Sequence, residues 1–115
     1  MAEQADLEIT WESRDGATIL SPLGDVDLSR SPCLRNDIRK AFDSSPAKLV
    51  IELSGVSYMD SSGVATLVEA MQISRKVNAK LVLCSMTERV HSIFEIARLD
   101  RVFTITPDID SALAD

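Results

Sequence analysis

The hydrophobic period of this chain switches repeatedly between two and 3.6, and that succession admits few folds. From residue 5 to 11 the pattern alternates strictly. Ala5, Leu7, Ile9 and Trp11 are apolar, while Asp6, Glu8, Thr10 and then Glu12 are polar. A period of two describes a strand with one buried face, and it places Trp11 in the core. Arg14-Asp15-Gly16 follows, and Asp-Gly between two strand-like runs predicts a tight hairpin. The second strand runs from Ala17 to about Leu23 and breaks at Gly24. The first two strands are therefore expected as antiparallel neighbours.

Helical and strand patterns then take turns. Leu34, Ile38, Ala41 and Phe42 fall on one face of a helix, which Ser44-Ser45-Pro46 stops. Leu49 to Leu53 reads as a strand that is apolar on both sides, as a central parallel strand would be. A connection ending in Met59-Asp60-Ser61-Ser62-Gly63 leads into a second helix. Its stripe is Val64, Leu67, Val68 and Met71, and it ends near Asn78. Lys80 to Cys84 is a fourth strand. Ser85-Met86-Thr87-Glu88 reads as a capping box for a third helix with stripe Val90, Ile93, Phe94 and Ala97. Val102 to Ile105 predicts a short fifth strand, and Thr106-Pro107 the start of a last helix, with Asp108 and Asp110 in its first turn.

The order β-β-α-β-α-β-α-β-α predicts an α/β fold. Right-handed parallel crossovers would follow the opening hairpin. The expected architecture is a small mixed sheet of four to five strands with about four helices packed mainly on one face. At 115 residues, with no linker, repeat or low-complexity stretch, residues 1–115 read as a single domain.

Composition narrows the function classes. Twelve basic residues against eighteen acidic give a charge of −6, which disfavours nucleic acid and anionic membranes as partners. The apolar runs, such as Leu81-Val82-Leu83-Cys84, are too short to span a bilayer. Glu3, Asp6 and Glu8 stand where a signal peptide would be basic and then apolar, so a cytoplasmic protein without membrane insertion is expected. The two cysteines, Cys33 and Cys84, read as buried free thiols. They and the single histidine, His91, do not make a zinc site, and the sequence calls for no cofactor.

The segment that stands out is Asp60-Ser61-Ser62-Gly63, between a central strand and a helix. Two readings compete. Asp and Ser at this position cap helices. Gly63 just inside the helix is a poor choice for capping alone and suits close approach by another molecule. The location also fits the rule that open α/β sheets bind partners beyond the carboxyl ends of their strands. If the second and third strands are neighbours, Gly24-Asp25-Val26-Asp27 lies at the same edge. Asp25, Asp27 and Asp60 would then gather near the serines, as a solvated acidic loop or, less readily, a magnesium site. Tyr58 and Met59 would lie beside this surface, with Met59 the more expected in the core. Ser62 is a poor candidate for a catalytic nucleophile. His91 sits off the apolar stripe of its helix, and no Gly-x-Ser-x-Gly elbow or lysine-bearing phosphate loop is present. A non-enzymatic protein is expected.

The run Leu49-Val-Ile-Glu-Leu-Ser-Gly-Val-Ser-Tyr-Met-Asp-Ser-Ser-Gly63 resembles the signature of the STAS domain, specifically that of bacterial anti-sigma factor antagonists. Gly24-Asp25-Val26-Asp27 resembles that family's first motif. Ala65 departs from it, standing where a second glycine is frequent. The resemblance implies a STAS-like fold and a partner-switching role. Ser62 would be phosphorylated by an anti-sigma factor that is also a serine kinase of the GHKL ATPase type. The unmodified form would bind that kinase, the phosphorylated form would be released, and a PP2C-type phosphatase would restore the hydroxyl. The partner-binding surface implied is Asp25, Val26, Asp27, Asp60, Ser61, Ser62 and Gly63. The alternative within the same family is an adaptor subunit of a non-sigma partner-switching, stress-sensing or lipid-transport complex.

Overall fold

The computed structural model describes residues 6–115. Asp15 and Gly16 both take positive φ, 53° and 79°, the geometry of a two-residue hairpin turn whose twist matches its strands. The turn pins β1 (Glu8–Arg14) antiparallel to β2 (Ala17–Leu23), from Arg14 opposite Ala17 to Glu8 opposite Leu23. The expected start of this strand at Ala5 lies outside the described residues. β3 (Lys48–Glu52), β4 (Lys80–Cys84) and β5 (Ile105–Thr106) add in parallel, giving the spatial order β1-β2-β3-β4-β5. The crossovers are α1 (Ser31–Asp43), α2 (Ser61–Lys76) and α3 (Glu88–Ile96), and α4 (Ile109–Ala114) follows β5.

Alternation within the strands sorts side chains to two cores. Leu20, Leu49, Ile51, Leu81 and Leu83 face a large cluster with Leu34, Ile38 and Phe42 of α1, Leu67 of α2, and Val90 and Phe94 of α3. Ile19, Val50, Val82 and Cys84 point the other way and are covered by Ala112, Ile109 and Leu113. Three helices thus pack on one face and α4 on the other, which accounts for the apolar residues on both sides of β3. This is the mixed five-stranded, four-helix arrangement the periodicity predicts.

The structure corrects several expectations. Trp11 is not in the core. It is 42% exposed, and its Nε1 donates to Asp37 Oδ2 at 2.9 Å. β1 is the edge strand, with Leu7 just before it buried and Ile9 half-buried. Period two identifies a face but not whether anything covers it. Phe103, expected within the fifth strand, precedes it. Its ring packs edge-on against Phe94 at 5.4 Å, and its N–H bonds to Leu99 O. α3 is capped by Thr87, whose Oγ1 accepts from Val90 N, and not by Ser85, which leaves β4 at φ 60°. Ala97 is the exposed C-cap of α3 and not part of its buried stripe. α4 begins after Asp108, which accepts from Ser111 N at 2.8 Å, so Pro107 stands outside the helix. Cys84 is buried and Cys33 half-buried, and both are free thiols.

α2 begins at Ser61, and its most buried side is Gly63, Thr66, Leu67, Ala70 and Ser74. Val64, Val68 and Met71 are half-buried. Small residues let this helix lie close to its neighbours, so bulk and burial do not coincide along it.

Candidate functional site

The edge beyond the carboxyl ends of β2 and β3 is built from two laced loops. Past Leu23 the chain continues alongside the segment after β3. Gly24 N donates to Gly55 O at 2.9 Å, Val26 N to Tyr58 O at 3.0 Å, and Asp60 N to Val26 O at 3.2 Å. Val26 and Met59 form a parallel bridge, and both are buried. Met59 is therefore core, as expected.

Asp60 is the N-cap of α2, with extended backbone at φ −94° and ψ −171°. Both its oxygens are used. Oδ1 accepts from Ser62 N at 2.9 Å, Gly63 N at 3.3 Å and the Ser62 hydroxyl at 2.5 Å. Oδ2 accepts from Leu28 N, across the site, at 3.1 Å. These donors, the Ser62 hydroxyl first, lower the Asp60 pKa below the ordinary carboxylate value, against a smaller opposing effect of desolvation. Asp27 is also lowered, chiefly by the Ser29 hydroxyl. Its Oδ1 accepts from Ser29 Oγ at 2.7 Å and from the N–H groups of Ser29 and Arg30, which fixes the turn into α1. Asp25 turns to the Ser57 hydroxyl at 3.0 Å. The three aspartates share an edge but face different donors, and among the described residues no group of three His, Cys, Asp or Glu is placed to hold a metal ion.

Ser61 is exposed as the first residue of α2, and Ser62, the second, is half-buried. Val26 and Gly63 are buried and support the surface from beneath. The close approach at Gly63 is internal and not to another molecule. A Cβ there would lie 2.8 Å from Val26 O and 2.9 Å from Met59 Cβ. The glycine is what lets α2 start against the opposite loop. His91 lies on α3, with Nδ1 3.4 Å from Glu95 Oε1, while the Ser62 hydroxyl bonds to Asp60.

Three residues join the site that sequence reasoning did not place there. Thr87 Oγ1 donates to Val56 O at 3.3 Å, and the Arg89 guanidinium lies 4.8 Å from the centre of the Tyr58 ring. Together they tie the start of α3 to the loop that leads into α2 and Ser62. Leu28 is 76% exposed at the rim, an apolar side chain in a polar loop. That contrast was the one available signal in the sequence. A shallow groove runs from Tyr58 and Asp60 past Ser61 and Val64 to Ile93 and Ala97. Among the described residues no helix is long and apolar enough to cross a membrane.

The edge beyond β2 and β3 thus carries a serine hydroxyl on a helix N-terminus, framed by aspartates. Residues 8–112 match the STAS domain model, and the chain belongs to that family. It is 31% identical to the anti-sigma-B factor antagonist of Bacillus subtilis over 83 residues, 72% of this chain and 75% of that protein. It is 26% identical to the anti-sigma-F factor antagonist RsfA of Mycobacterium tuberculosis over 110 residues, 94% and 86% of the two chains. The crystal structure of an anti-sigma factor antagonist from Mycobacterium paratuberculosis superposes with a TM-score of 0.87 at 26% identity, covering 98% of this chain and 95% of that one.

Proposed function

We propose that this protein is an anti-sigma factor antagonist. It binds an anti-sigma factor that is also a GHKL-type serine kinase, through the surface formed by Asp25, Asp27, Asp60, Ser61 and Ser62, with Val26 and Gly63 supporting it from beneath. Phosphorylation of Ser62 releases it, and a PP2C-type phosphatase reverses the step. The names of its relatives support the first part. The observation that carries the switch is the place of the Ser62 hydroxyl, half-buried on the second residue of α2 and bonded to Asp60.

In the transfer, Ser62 Oγ attacks the γ-phosphorus of ATP. The Oγ–P bond forms, the bond to the ADP oxygen breaks, and the hydroxyl proton leaves to a base. The product carries about −1.5 to −2 of added charge. A surface shaped around a neutral serine does not bury that charge without a basic partner group. A loss of about 3 kcal/mol already lowers affinity more than a hundredfold. The helix N-terminus favours the phosphate by only about 0.3–1 kcal/mol, so the fold tolerates the modification while the interface does not.

The test is a pull-down from native extract, identification of the captured ATPase by mass spectrometry, and incubation of the purified pair with ATP. Phosphate is expected on Ser62. Ser62→Asp is expected to weaken binding more than a hundredfold, and Ser62→Ala to retain it. Phosphate on Ser61 alone, or unchanged affinity of Ser62→Asp, would instead make this a fixed adaptor whose serines only stand at a helix end.

A further inference from the structure

We infer that Asp60 is a positioning residue that couples the state of Ser62 to the placement of Leu28. The inference rests on Ser62 being the modified residue. One carboxylate serves two segments. Oδ1 holds the first turn of α2 and the Ser62 hydroxyl, while Oδ2 holds Leu28 N on the opposite loop. Among the described residues that bond is the only one the Leu28 amide makes. The residues around it are secured independently. Val26 is held by its bridge to Met59, Ser29 and Arg30 by Asp27, and Ser31 N by Asp27 O. Leu28 is thus the one point of this loop whose backbone depends on the Asp60 carboxylate, and it projects its side chain from the rim of the site.

Phosphorylation removes the proton that Ser62 donates to Oδ1 and sets a dianion beside that oxygen. The phosphate competes for the same first-turn N–H groups, which suit a phosphate well. Like charge then moves the carboxylate away, and Leu28 N loses its acceptor. The Leu28 apex loosens while Ser29, the strands and α1 stay in place. The modification therefore acts twice, by adding charge at Ser62 and by releasing an exposed apolar side chain on the same rim.

The experiment is amide hydrogen exchange by NMR on the full chain with phosphoserine incorporated at position 62. The Leu28 amide is expected to exchange about tenfold faster than in the unmodified protein, the equivalent of one charge-assisted hydrogen bond. Val26 and Ser31 should keep their protection. Ser62→Ala, which removes the hydroxyl without adding charge, should leave Leu28 protected. Asp60→Asn can still cap α2 but has no second acceptor for Leu28, so it should accelerate Leu28 exchange without any phosphate. Unchanged Leu28 exchange in the phosphoserine protein, or acceleration shared equally by Val26 and Ser31, overturns the coupling even if partner binding is lost. A kinase that leaves Ser62 unmodified overturns the switch itself, whatever Leu28 does.

Discussion

The carbonyl oxygen of Val26 stands so close to the first turn of α2 that a Cβ on Gly63 would lie 2.8 Å from it. This contact joins the two loops of the site into one surface. Gly63→Ala gains about 1 kcal/mol of helix propensity. It also forces a methyl group against a backbone carbonyl and Met59 Cβ, neither of which has room to yield, and overpacking of this kind costs about 1–3 kcal/mol. The expected net effect in urea denaturation is a loss of up to about 2 kcal/mol, with faster exchange of the Val26 amide. A more stable variant would show that the loops separate readily.

The depressed pKa of Asp60 sets an acid limb on stability. A carboxyl whose folded pKa lies below its unfolded value stabilises the fold fully above the unfolded pKa, about 3.9 for Asp. That contribution fades as pH falls through this value and the folded pKa beneath it. Thermal melts of the wild type and Asp60→Asn from pH 7 to pH 2.5 test it. The gap between their midpoints should be widest near neutrality and narrow progressively as pH falls below about 3.9. A gap that grows on acidification would contradict the assignment.

Capping of α3 separates two neighbouring residues. Thr87→Ala removes the acceptor for Val90 N and the donor to Val56 O, and should cost about 1 kcal/mol. Ser85→Gly places glycine at φ 60° and should leave stability within about 0.5 kcal/mol of wild type. Paired chemical denaturation curves read both, and equal losses would return the cap to Ser85.

Lys48 fastens the far face of the sheet. Its Nζ donates to Ala112 O at 2.8 Å, Leu113 O at 3.0 Å and Asp115 O at 2.8 Å, satisfying carbonyls at the end of α4. Lys48→Met should cost about 1–2 kcal/mol and loosen α4. Cys84 beneath it is buried, which raises its thiol pKa. In a Cys33→Ser background, a thiol reagent should label Cys84 several-fold faster when Lys48 is replaced. An unchanged labelling rate would mean α4 holds by its apolar contacts alone.

By itself the sequence determined the local elements and their order. Asp15-Gly16 specified the hairpin turn, and the four apolar positions of α1 specified its buried face, because backbone sterics and hydrophobic period act over a few residues. The Asp60-Ser61-Ser62-Gly63 motif also marked the site, since a cap before a helical stripe is a local signal. Coverage was decided only by the tertiary structure. Trp11 lies open because β1 is an edge, and the small residues of α2 are buried because the neighbouring elements come close there. Gly63 likewise owes its role to Val26, 37 positions away in the chain. The two oxygens of Asp60 serve donors on two loops that meet only once β2 and β3 pair in parallel. Which atom lies against which, across distant segments, follows from the packing of the whole sheet and is not encoded in any short window of residues.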